Sequence, residues 1–175
     1  REVEELLKEI RKRIEDVRRR VEEIDRRNRK LLKEVEERLE KVRREVEKSN
    51  TDIKELAERG TDKRELAKEI KKSRERVERL VRELRRRLKR ISDELEKVAR
   101  DLKRKLEEIL DRAEKAGIDE DLLRRVREEI ERVIREVKRL LEENKKRNDE
   151  VRKRVEDIVR RLEEHHRELK RRVEK

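Results

Sequence analysis

Aliphatic residues return at alternating steps of three and four along almost the whole chain, and only two glycines interrupt them. The first run is Val3, Leu7, Ile10, Ile14, Val17, Val21 and Ile24; after Asn28 it resumes with Leu32, Val35, Leu39, Val42, Val46, Ser49, Ile53 and Leu56. Such spacing keeps one face of an α-helix in a core and excludes the two-residue alternation of a half-buried strand. A second run passes from Leu66, Ile70, Ser73 and Val77 through Leu80, Leu84, Leu88, Ile91, Leu95, Val98, Leu102, Leu106 and Ile109 to Ala113. The third is Leu123, Val126, Ile130, Val133, Val137, Leu140, Asn144, Asn148, Val151, Val155, Ile158, Leu162, His165 or His166, Leu169 and Val173. Two consecutive steps of four at Asn28 form a stutter, which relaxes a left-handed supercoil. Leu6, Leu31, Val81, Ala99, Leu110, Ile134, Leu141 and Val159 widen the stripes, and a wide stripe suits a bundle core better than a two-stranded coil.

Gly60, in Glu58-Arg59-Gly60-Thr61-Asp62, stands where a left-handed residue ends a helix. Asp62 or Thr61 is placed to cap the next helix, and Asp62 with Glu65 fits a capping box. Lys115-Ala116-Gly117-Ile118-Asp119 repeats the device, with Asp119 as the cap and Ile118 and Leu123 as a hydrophobic staple. Both connections are too short for anything but antiparallel neighbours. The expected fold is all-α: an antiparallel up-down-up bundle of three long helices, coiled-coil-like, forming one domain over 1–175 with helices near 2–58, 62–116 and 119–173. Each helix is roughly 80 Å long at the α-helical rise.

Composition alone points the other way. Charged residues make up 63% of the chain and apolar ones 30%, a ratio that in an unpatterned sequence means disorder. The pattern decides, because the apolar positions are nearly all Leu, Ile and Val while Arg, Lys and Glu, all good helix formers, fill the rest. Pro, Phe, Tyr, Trp, Met, Cys and Gln are absent. Rule-based filling of ideal helices yields so short a menu, whereas natural cores draw on aromatics. Without Cys there are no disulfides or thiolate metal sites.

The net charge is +12, and the three helical segments carry +2, +7 and +3. The middle one is the most basic, through Arg85-Arg86-Arg87-Leu88-Lys89-Arg90. This reads as a solvated face that keeps the chain in solution. The competing reading is binding of phosphate or an acidic partner. Sequence-specific nucleic-acid recognition is not expected, because no aromatic is present to stack on bases. A membrane-bending helical module such as a BAR domain is disfavoured by the acidic residues interleaved almost everywhere. No apolar run approaches a membrane span, and Arg1-Glu2-Val3-Glu4 has no signal-peptide pattern. The missing initiator Met is expected from a removed tag.

Only eleven residues are uncharged polar or His, and most fall on or beside the seam. If the turns centre near residues 60 and 117, position i on the first helix faces roughly 120 − i on the second, and j on the second roughly 234 − j on the third. The arithmetic gathers two layers. One holds Asn28, Ser92, Asn144 and Asn148; the other holds Ser49, Asn50, Ser73, His165 and His166, with Asn50 and Thr51 the candidates to face water. The chain here resembles de novo designed helical bundles with buried hydrogen-bond networks, in its composition, its glycine-terminated helices and its polar layers. The resemblance implies that the layers specify register and partner choice. A buried Asn, Ser or His costs free energy unless paired, so slipped pairings are penalised.

No catalytic constellation emerges. Adjacent helical residues diverge by about 100°, so His165 and His166 do not converge on one ion. Glu163-x-x-His166 is half of a carboxylate di-iron pattern, but both His residues of the chain lie here and no second half exists. Nucleophile–base sets, glycine-rich phosphate loops and zinc-protease motifs are missing. The expectation is a non-enzymatic scaffold with no cofactor and no metal, needing no partner if monomeric. The alternative is an interaction module that pairs with a further helix or self-assembles. As a synthetic protein it would be soluble and expressed in a heterologous cytoplasm.

Overall fold

A computed structural model describes residues 2–174, with side chains through residue 172. It consists of three helices: α1 (Glu2–Glu58), α2 (Lys63–Lys115) and α3 (Glu120–Glu174). The side chain of Val173 and the terminal residues 1 and 175 of the expected domain lie outside this description. Acidic residues open each helix: Glu2, Glu4 and Glu5 in α1, Glu65 in α2, and Glu120 and Asp121 in α3. Basic Arg112 and Lys115 close α2, and Arg171 and Arg172 close α3. Both tendencies complement the helix dipole.

α1 ends in a Schellman motif. The Thr61 amide donates to the Leu56 carbonyl at 3.2 Å and the Gly60 amide to the Ala57 carbonyl at 3.2 Å, satisfying carbonyls that the last turn leaves orphaned. Gly60 has φ 75° and Gly117 φ 66°, the left-handed region where a β-carbon is strained. The Asp62 carbonyl accepts from Leu66 at 3.0 Å and the Asp119 carbonyl from Leu123 at 2.9 Å. Each Asp therefore occupies the N-cap position and lies just outside the helix, which is why α2 and α3 start one residue later than the spacing suggests. Ile118, just before that cap, is buried, and Leu123 packs against the same apolar cluster.

The chain divides into two compact units. The first joins Arg1–Leu31 to Arg90–Lys146; the second joins Leu32–Lys89 to Arg147–Lys175. In the first unit, Glu9 bonds Arg112 at 3.4 Å, while Ile24 and Asn28 line a groove with Ile91 and Leu95. Numbers rise on α1 as they fall on α2, so the two helices are antiparallel there. Likewise Glu114 bonds Arg127 at 3.0 Å, and Ala99 lines a groove with Ile134 and Val137, so α2 and α3 are antiparallel. The core of this unit is aliphatic, running from Ile10 and Ile14 through Leu102 and Leu106 to Ile130 and Val133.

In the second unit, Leu39 lines a groove with Ile158, and Ile53 packs with Leu66, Ile70 and Leu169. α1 and α3 therefore run parallel there, with α2 antiparallel to both. Its other buried residues include Val35, Val42, Val77, Leu84, Leu88, Val155 and Leu162.

The buried stripe departs from the expected seam at several points, of which three are instructive. Val3, in the first turn of α1, is 44% exposed. At two points on α2 the neighbouring residue is the buried one: Val81 rather than Leu80, and Ala99 rather than Val98. An α-helix turns through slightly less than a full heptad repeat every seven residues, so a straight helix drifts across a strict 3-4 seam. Most ion pairs recorded join residues three or four apart on exposed faces, such as Arg13–Glu9 at 3.0 Å, and such pairs add little stability. In the basic run, Leu88 is buried while Arg85, Arg86 and Lys89 face solvent. No helix among the described residues is long and apolar enough to cross a membrane.

Candidate functional site

The polar residues on the seam are the places where this chain departs from its own rule. In the first unit, Asn28 on α1 and Asn144 on α3 are buried, at 8% and 3% exposure. The Asn28 Nδ2 donates to the Asn144 Oδ1 at 3.2 Å. Asn28 lines a groove with Ile24, Leu31, Ile91, Leu95 and Val98, with Arg27 and Glu94 at its edge. Ser92, expected in the same layer, is only half-buried, and no hydrogen bond joins it to the pair among the described residues. It belongs to the rim of the core because Ile91, the residue before it, takes the buried position.

Asn148 belongs to the second unit. It is buried, and its Oδ1 has no hydrogen-bond partner. It does not join the Asn28–Asn144 bond, for it lies one helical turn further along α3, about 6 Å on.

The other polar residues of the second unit come from all three helices. Ser49 on α1 and Ser73 on α2 share a hydrogen bond between their hydroxyls. Asn50 is half-buried and its Oδ1 lacks a partner. Thr51 is exposed, and its hydroxyl donates back to the Glu47 carbonyl at 3.0 Å. On α3, His166 is fully buried and His165 half-buried, with ring centroids 6.5 Å apart. Neither nitrogen of His166 has a partner, nor does Nε2 of His165. Burial pushes the His166 imidazole down from 6.5 to about 4, and the positive charges of Arg74, His165 and Lys170 push the same way. It is therefore a neutral ring at pH 7.

Arg74 was not among the residues singled out by spacing. It stands beside Ser73, half-buried, with Nε enclosed and unpartnered. Its neighbour on the seam is the only sequence signal for it, since an Arg flanking an apolar stripe usually carries its charge out to water.

Chemically, the arrangement offers little. His166 is sealed from solvent and cannot meet a substrate as acid or base in this conformation. Among the described residues, no group of three or more His, Cys, Asp or Glu side chains is placed to hold a metal ion. Gly60, Asp62, Gly117 and Asp119 all lie exposed at the two turns.

No protein-family model matches the sequence, and no curated protein matches it. Among solved structures, the chain is similar to one described as a "Computationally designed three helix bundle". The two are 22% identical over 99% of this chain and 87% of that one, with a TM-score of 0.43.

Proposed function

We propose that this chain is a designed helical scaffold without enzymatic activity, in which buried polar side chains fix the register of the helices. The observation that carries this reading is the buried Asn28–Asn144 hydrogen bond. α3 has Val137 and Val151 seven residues to either side of Asn144. A heptad slip between α1 and α3 would thus bury the Asn28 amide against valine, at a cost of about 1–3 kcal/mol for each unpaired group. Ser73 on α2 is flanked in the same way by Leu66 and Leu80. A slip there would bury the Ser49 hydroxyl against leucine.

The residue menu supports a designed origin. A chain of 175 residues with no Pro, Phe, Tyr, Trp, Met or Cys, in which glycine ends α1 and α2 and Asp caps α2 and α3, follows the rules of idealised helix construction at its turns and in its residue choice.

The test is pulsed dipolar spectroscopy between spin labels at Arg19→Cys and Glu136→Cys, both exposed in the first unit and free of competing native thiols. The parent chain should give one narrow distance distribution. Adding Asn28→Leu and Asn144→Leu should broaden or split it without lowering stability. A distribution that stays single and unchanged after both substitutions would rule out the register role.

A further inference from the structure

One surface of the first unit is built differently from the rest. Between α2 and α3, Ala99, Ile134, Val137 and Leu141 floor a groove of about 380 Å³ whose rim is Glu96, Arg100, Lys103 and Lys138. The floor exists because Ala99 carries no side chain beyond its β-carbon, which leaves a dip between Ile134 and Leu141. Those two residues are half-buried while Ala99 and Val137 are buried. Ile134 and Leu141 are seven residues apart, so the apolar strip is about 10 Å long.

The rim carries three cations and one acid. Close by, Arg104 pairs with Asp101, Arg135 with Glu131 and Arg139 with Glu143. Among the described residues, no such ion pair joins Arg100, Lys103 or Lys138 to a carboxylate, and Glu96 is the single acid against these three cations. The groove is also polarised along its length. With α2 and α3 antiparallel, Lys103 lies at the Ile134 end, and Glu96 lies at the Leu141 end.

We infer that this groove binds a single-chain anionic amphiphile, such as a fatty carboxylate, with its headgroup among Arg100, Lys103 and Lys138 and its alkyl chain running over Ala99 toward Leu141. Size favours this occupant over a partner helix. Two turns of apolar strip match a medium-length alkyl chain, while a stable protein interface buries roughly 800 Å² per partner. The net charge of +12 disfavours a second copy of the chain. Affinity is expected on the order of a millimolar, given how few atoms such a ligand buries.

The test is methyl NMR of the full chain titrated with sodium octanoate, with octyl glucoside as the neutral amphiphile of equal chain length. Saturable shifts should concentrate at Ile134, Val137 and Leu141 and spare Ile10 on α1. The exposed pair Lys103→Glu and Lys138→Glu should weaken octanoate binding about tenfold and leave octyl glucoside unaffected, with Lys103→Gln and Lys138→Gln in between. Equal binding of the neutral amphiphile, insensitivity to charge reversal, or shifts spread over methyls throughout the chain would each overturn the assignment. So would an acidic amphipathic peptide that shifts the same methyls at far lower concentration than octanoate, which would make the groove a helix-docking site.

Discussion

The Asn28 amide donates to the Asn144 carbonyl oxygen across 3.2 Å, and both side chains are sheltered from water. Removing one partner strands the other. Asn28→Ala should lower the free energy of unfolding by about 2–3 kcal/mol, combining the lost bond with an unpaired buried amide. Leu at both positions should be neutral or stabilising, because neither polar group then needs a partner. Urea denaturation of both single variants and the double variant checks the pair, and strictly additive effects would mean that the two amides do not interact.

His166 gives the molecule an acid-sensitive position. Its folded pKa, about 4, lies below the ordinary 6.5, so the unfolded chain binds this proton more readily. The contribution to stability is full above pH 6.5, falls as pH drops through the interval between the two values, and is exhausted below the folded pKa. Over that interval the loss should be about 2–3 kcal/mol, after discounting for solvent screening. Replacing His166 by Leu should flatten this part of the profile. Carboxylates titrate at the acid end in both chains, so the difference between parent and variant is the quantity to read. A variant with the same pH dependence as the parent would show that the ring is not buried and neutral.

At Gly60 and Gly117, an added β-carbon would meet nothing within 4 Å. The cost of substitution is therefore backbone strain alone. Ala at either position should destabilise by about 1 kcal/mol, and Asn by less, since Asn enters the left-handed region more easily. Thermal denaturation of the four single variants gives the order. Equal effects of Ala and Asn would point to some cause other than the dihedral angle.

Leu106 is completely buried, whereas Val3 is 44% exposed. Leu106→Ala should cost about 3–5 kcal/mol, including the cavity it leaves. Val3→Ala should fall within about 0.5 kcal/mol of the parent. Both residues sit on the same kind of 3-4 spacing, so a comparison of denaturation midpoints separates periodicity from actual burial.

The solution mass follows from the scaffold reading. Light scattering across a concentration series should return 21.9 kDa throughout. A defined multiple, or a mass that climbs with concentration, would favour the interaction module instead.

What the sequence could convey differs by kind of question. Helix extent was legible to within a residue or so, because Gly60 and Gly117 mark left-handed stops and Asp62 and Asp119 follow at capping distance. Mirror arithmetic about the turns was good enough to bring Ser49 near Ser73, which do share a bond. Rotation about the helix axis was not legible. Between Leu162 and Leu169 the steps can run three then four, through His165, or four then three, through His166; both obey the pattern. Only packing chooses, and it buries His166. The same uncertainty of about 100° between adjacent residues placed Ser92 in a layer where Ile91 in fact holds the buried position. Asn28 bonds α3 rather than Ser92 on α2 for the same reason: axial level was known, azimuth was not.

Both turns also have a handedness that the genetic code cannot fully use. Gly60 and Gly117 adopt dihedrals native to mirror-image amino acids. A D-residue prefers this backbone region for the steric reason that an L-residue avoids it. The two short connections are thus points where inverted stereochemistry could be spliced into the chain by ligation, stiffening each reversal and removing a protease-recognisable linkage.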